Sequence, residues 1–111
     1  MWLFTTQGFF SAVQKRDEPG TLLVRSRVRE DAERLVATVG NGTVIETPER
    51  DYRFRVELPA KAWAEYVAAA ATDIDYPNFK SAVAAHQGPG RADAYGSVWA
   101  AMYALQQRGS Q

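Results

Sequence analysis

Cysteine is absent from this chain of 111 residues, and so is any net charge, since 13 lysines and arginines balance 13 aspartates and glutamates. A chain without cysteine has no disulfide, no thiolate metal site and no cysteine nucleophile. It suits a reducing compartment, so the expected location is cytoplasmic. Zero net charge removes the global basic field that many nucleic-acid binders carry. Any electrostatic function has to arise from local segregation of charge.

Long apolar runs are missing as well. The longest, Val67 to Ala71, is short and rich in alanine, so no segment is expected to span a bilayer. Met1 to Gln7 carries neither a basic stretch nor a long apolar run and does not read as a signal peptide. Phosphate loops are also lacking. Gly40-Asn41-Gly42 and Gly88-Pro89-Gly90 are too short and do not follow strand-to-helix order, so the second reads as a turn. Ser11, Ser26, Ser81 and Ser97 lie outside any glycine elbow, which leaves no serine nucleophile in view.

What is present is ordinary globular material, 46% hydrophobic and 23% charged. The length fits one domain with a real core. Residues 1–107 are expected to form that single domain, with 108–111 as a frayed tail.

Trp2 to Thr6 and Phe9 to Gln14 read as strands with Gly8 between them. Asp17-Glu18-Pro19-Gly20 is a dense turn signal ahead of a strand from Thr21 to Val28, which predicts a hairpin. A helix follows from Arg29, with acids in its first turn and Ala32, Leu35, Val36 and Val39 on one stripe. Gly40-Asn41-Gly42 ends it. Thr43 to Glu46 reads as a short strand and Asp51 to Leu58 as a longer one.

Pro59 opens a helix with Trp63, Val67, Ala70 and Ile74 on its apolar side. A short helix is expected from Pro77 through His86, and a last one from about Arg91 to Gln107. Tyr95, Val98, Trp99, Met102 and Leu105 form the wide apolar face of that last helix. Hairpin-linked strands followed by helices predict a two-layer α+β fold, with an antiparallel sheet of about four strands and helices on one face. A ferredoxin-like plait is the nearest common architecture.

Met1 to Ser11, Asp73 to Lys80 and Tyr95 to Tyr103 together resemble a family of small bacterial proteins with no established activity. The likeness covers nearly the whole chain. It implies a single-domain bacterial protein and carries over no functional residue.

Charge is segregated in two strands. Leu22, Val24 and Val28 alternate with Leu23, Arg25 and Arg27, and Tyr52, Phe54, Val56 and Leu58 alternate with Arg53, Arg55 and Glu57. Side chains on a strand point to opposite faces with a period of two. If the strands share a sheet, Arg25, Arg27, Arg53 and Arg55 gather on the face away from the core, with Lys15 and Arg16 near the rim. Arginine's planar fork suits phosphates and carboxylates. The plainer reading is a solvated face whose arginines pair with Glu46, Glu57 or a helix acid. Sheet-borne nucleic-acid binding adds aromatics that stack bases. Alternation sends Tyr52 and Phe54 to the apolar side, which favours acidic groups over bases as partners.

Asp73 and Asp75 stand two apart before Pro77. They read as caps for the following helix, or as oxygen ligands or an acid–base pair. His86, the only histidine, reads as a half-buried structural residue at a helix C-terminus.

The leading expectation is a non-enzymatic binding domain that uses the arginine face against an acidic partner or anionic ligand. A single-stranded nucleic-acid binder using the same face is an alternative. A small hydrolase or metal-dependent enzyme using Asp73, Asp75 and His86 is another. No catalytic residue, metal ligand or cofactor is assigned. A homodimer through the last helix or a sheet edge is also open.

Overall fold

Asp17-Glu18-Pro19-Gly20 turns the chain back on itself in the computed structural model, which describes residues 1–109. The Lys15 N–H donates to the Thr21 carbonyl at 2.9 Å and closes this hairpin between β2 (Gly8–Gln14) and β3 (Thr21–Ser26). β1 (Trp2–Thr5) pairs antiparallel with the other edge of β2. Helix α1 (Arg29–Val39) follows β3 and stops at Gly40, whose φ of 74° is left-handed and whose N–H donates to the Val36 carbonyl. Glycine adopts that geometry without a side-chain clash. β4 (Ile45–Glu46), β5 (Phe54–Pro59) and α2 (Ala60–Thr72) complete this part of the chain.

The described residues form a five-stranded antiparallel sheet in the order β1-β2-β3-β5-β4. This is the expected α+β class. The chain order departs from a ferredoxin-like plait, which repeats strand-helix-strand twice. Here three strands precede the first helix, and only β3, α1 and β4, with β5 set between the two strands, echo that unit.

Register decides what each face carries. Leu3 stands opposite Phe10, Val24 opposite both Ala12 and Val56, and Leu22 opposite Leu58. These residues share one side, where α1 contributes Ala32 and Leu35 and α2 contributes Trp63. Phe10, Leu35 and Leu58 are fully buried. Burial of each such side chain contributes roughly 1.5–3 kcal/mol. Phe10 meets Trp63 edge-on at 6.0 Å, and Trp63 stacks on Tyr66 at 5.4 Å, so aromatic packing fixes α2 on the sheet.

The chain separates into two compact units, Met1–Ile74 and Asp75 onward. The second consists of α3 (Phe79–Gln87) and α4 (Pro89–Gly109), joined by Gly88 and packed on each other. Phe79 stacks on the buried Tyr95 at 5.8 Å, and Val83 and Ala92 are buried with it. Gly88-Pro89-Gly90 is therefore not a free turn. Pro89 opens α4, since a missing N–H costs nothing at a helix's first position. Arg108 and Gly109 continue that helix, while Ser110 and Gln111 of the expected frayed tail lie outside the described residues.

Candidate functional site

On the sheet face turned away from α1 and α2, one row of directly opposed residues reads Trp2, Ser11, Arg25, Arg55 and Ile45 across all five strands. Arg25 and Arg55 are thus neighbours on adjacent strands. Like charges placed directly opposite each other destabilise an antiparallel pair. Neither is a freely solvated surface arginine. The side chain of Arg55 is only 13% exposed, and Arg25 is half-buried.

Each guanidinium makes few acceptor contacts. Arg25 donates one terminal N–H to the Ser11 Oγ at 2.7 Å, and its Nε is buried with no hydrogen-bond partner among the described residues. Arg55 donates from Nε to the Thr47 Oγ1 at 3.2 Å and lies 3.6 Å from a carboxylate oxygen of the exposed Asp51. Burial lowers the pKa of Arg55 from its ordinary value. The charges of Arg25 and Arg50 act in the same direction, opposed by Asp51 and Glu49. The protein therefore holds positive charge here at a cost it does not fully offset.

Tyr52 corrects the sequence expectation. Strand alternation places it on the apolar face with Phe54, but its ring lies with the arginines. The guanidinium carbons of Arg25 and Arg27 stand 4.6 and 4.1 Å from its centroid, within cation–π reach. The ring also lies 6.4 Å from that of Phe9. The cause is local. β5 begins only at Phe54, so strand alternation does not reach back to residue 52. Thr47 holds the preceding turn: its N–H donates to the Arg53 carbonyl at 2.6 Å and its hydroxyl to the Tyr52 carbonyl at 3.0 Å. The Asp51 carboxylate accepts the Tyr52 N–H at 2.9 Å.

Aromatics continue along the same face. Phe4 stands opposite Phe9 in register and stacks on it at 4.4 Å, and Trp2 meets Phe9 edge-on at 5.8 Å. Trp2 is 65% exposed. From sequence alone Trp2 and Phe4 are most simply core, and Phe9 carries no assignment beyond its strand, so the strip emerges only with the sheet. The signal was available in the period of two, which pairs each of them with an outward position once Leu3 and Phe10 are assigned inward.

The four predicted arginines do not stay together. Arg25 and Arg27 lie against the Tyr52 ring, Arg27 also donating to the Asp51 carbonyl at 2.9 Å, and Arg55 stands opposite Arg25 on the neighbouring strand. Arg53 leaves the group. It precedes the strand and pairs through two nitrogens with Glu46, at 3.0 and 2.9 Å, and Arg29 binds the same carboxylate. Lys15 pairs with Glu57 at 2.9 Å, as a rim residue would.

The secondary candidates are scattered along exposed segments. Asp73 caps the C-terminus of α2 through its backbone N–H, and Asp75 lies in the exposed stretch before α3. Neither caps α3. Asn78 does, its side chain accepting the Ser81 N–H at 2.9 Å, because the capping position is the residue just before the first turn. His86 is exposed in the last turn of α3, where a half-buried histidine was expected. Among the described residues no three histidine, aspartate or glutamate side chains form a group able to hold a metal ion. No described helix is long and apolar enough to cross a membrane.

No family model, no curated protein and no solved structure matches this chain.

Proposed function

We propose that this protein is a non-enzymatic, cytoplasmic binding domain whose contact surface is the arginine-bearing face of its sheet, recognising an acidic partner or an anionic ligand. The observation that carries the reading is the direct opposition of Arg25 and Arg55 in neighbouring strands, both partly desolvated. Repulsion at such a pair weakens the free protein, and an anion seated between the guanidiniums relieves it. Arg27 and Tyr52 lie beside the pair and give the surface a shape as well as a charge.

The hydrolase reading has less support, because Asp73, Asp75 and His86 are all exposed and lack the burial that tunes catalytic groups.

Titration with a short poly-glutamate peptide tests the proposal. Binding should weaken at least tenfold in Arg25→Gln and in Arg55→Gln, and fall as salt rises. Arg53→Gln, which removes an arginine already neutralised by Glu46, should leave affinity within about twofold of the parent protein. Loss of affinity in Arg53→Gln alone would move the contact surface to the Glu46 edge.

A further inference from the structure

The geometry points to a nucleotide as the ligand of this face, with its phosphate between Arg25 and Arg55 and its base against Trp2. The inference rests on the anion-binding reading above and names the ligand class.

Charge selects phosphate over carboxylate. Arg25, Arg27, Arg50 and Arg55 act around the seat, against the carboxylates of Asp51 and Glu49. A carboxylate supplies one negative charge, whereas a phosphate monoester supplies about 1.5–2 at neutral pH and offers three acceptor oxygens. Two facing guanidiniums need more acceptors than one carboxylate brings. Arg25 is held in place, since its Nε is buried and its guanidinium carbon lies 4.6 Å from the centroid of the Tyr52 ring. Ser11, itself buried, holds the far side of the Arg25 fork through its Oγ at 2.7 Å. The fork is therefore fixed before a ligand arrives.

The aromatic strip selects the rest of the ligand. Trp2 and Ser11 share one row with Arg25 and Arg55, so Trp2 lies two strands from Arg25. Neighbouring strands are about 4.8 Å apart, which separates the Trp2 and Arg25 backbones by roughly 10 Å and puts Trp2 about 12 Å from the midpoint between Arg25 and Arg55. The side chains and a phosphate joined to a base through a ribose span that gap together. Trp2 is 65% exposed and braced edge-on by Phe9, leaving indole surface for stacking. Stacking of this kind tolerates any base.

Isothermal titration with adenosine monophosphate, adenosine, inorganic phosphate and a single-stranded dodecamer of thymidines tests the assignment. Adenosine monophosphate should bind at least tenfold more tightly than adenosine. Arg25→Gln and Arg55→Gln should each weaken it tenfold or more, and Arg55→Lys, which keeps the charge but not the fork, should recover only part of the loss. Trp2→Ala should weaken the nucleotide several-fold while leaving inorganic phosphate unchanged. A dodecamer affinity above that of the mononucleotide, falling steeply with salt, would make the nucleotide part of a strand, whereas equal or weaker affinity would make it free.

Absence of binding by both the mononucleotide and the dodecamer overturns the assignment, as does binding indifferent to Arg25 and Arg55. If poly-glutamate still binds through those arginines in that case, only the nucleotide assignment fails. If it does not bind either, the anion-binding reading fails as well. Thermal melting of each variant separates lost binding from lost folding.

Discussion

The buried carboxylate of Asp31 accepts the backbone N–H of Phe9 at 3.1 Å and thereby ties the first turn of α1 to the start of β2. The same carboxylate meets Arg34 at 2.7 Å, and Arg34 donates from Nε to the Gln7 carbonyl at 3.0 Å. One acid near a helix N-terminus, where the dipole favours it, thus holds the tip of the β1–β2 hairpin.

Asp31→Ala should destabilise the fold by about 1–3 kcal/mol, the cost of leaving polar groups beneath it unsatisfied. Asp31→Asn keeps an acceptor oxygen and should lose less. Urea unfolding checks both, and equal losses in the two variants would show that the charge matters more than the hydrogen bond to Phe9.

Gly8 sits directly beneath this carboxylate, and a Cβ there would come within 2.7 Å of the Asp31 Cγ. Gly8→Ala should therefore destabilise by about 1–3 kcal/mol through overpacking. Gly90, in the first turn of α4 with no atom within 4 Å of its would-be Cβ, should behave in the opposite way. Gly90→Ala should raise stability by roughly 0.5–1 kcal/mol, as alanine does in an unobstructed helix position. Paired denaturation curves decide between these directions.

Arg55→Gln should separate stability from binding. Removing one of two opposed charges relieves repulsion, so the ligand-free variant should melt no lower than the parent and gain up to about 1 kcal/mol. Affinity for an anion should fall in the same protein. A clear loss of stability would mean that the bond to Thr47 outweighs the repulsion from Arg25.

The pH dependence should contain a contribution from Glu46. The hydrogen bond from Arg53, assisted by the charges of Arg53 and Arg29, holds this carboxyl below its ordinary range. With a folded value lower than the unfolded one, its stabilisation is present above the unfolded value and is lost as pH falls through the folded value. Arg53→Gln should therefore flatten the acid side of the stability profile, where pH falls through the ordinary carboxylate range and below it. A profile parallel to the parent's would show that Arg29 alone holds the shift.

Local signals in the sequence were enough for several elements. The Asp17-Glu18-Pro19-Gly20 hairpin, the stop of α1 at Gly40 and the inward set Val24, Val56 and Leu58 all follow from turn chemistry or period. The outward placement of Arg25 and Arg55 was legible in the same way. Their direct opposition was not, because register across two strands 30 residues apart depends on tertiary pairing. Tyr52 was misplaced because the alternating pattern runs on past the point where hydrogen bonding stops. The capping of α3 by Asn78 shows the same limit, since the two aspartates made a louder signal than the one residue in the capping position.

α4 has 21 residues and α3 has nine, so at 1.5 Å per residue the two run for about 31 Å and 14 Å. Ala92 and Tyr95 are buried, while every residue from Trp99 to Gly109 is exposed, and Trp99 and Tyr103 stack on each other within that stretch. An eleven-residue helical segment whose residues are all exposed is marginal in water. In deuterated solvent, amide protons near Tyr95 should wait for the helical pair to open, whereas those beyond Met102 should be replaced at nearly the rate of a free peptide. One continuous helix should thus show two classes of amide proton, divided near Trp99.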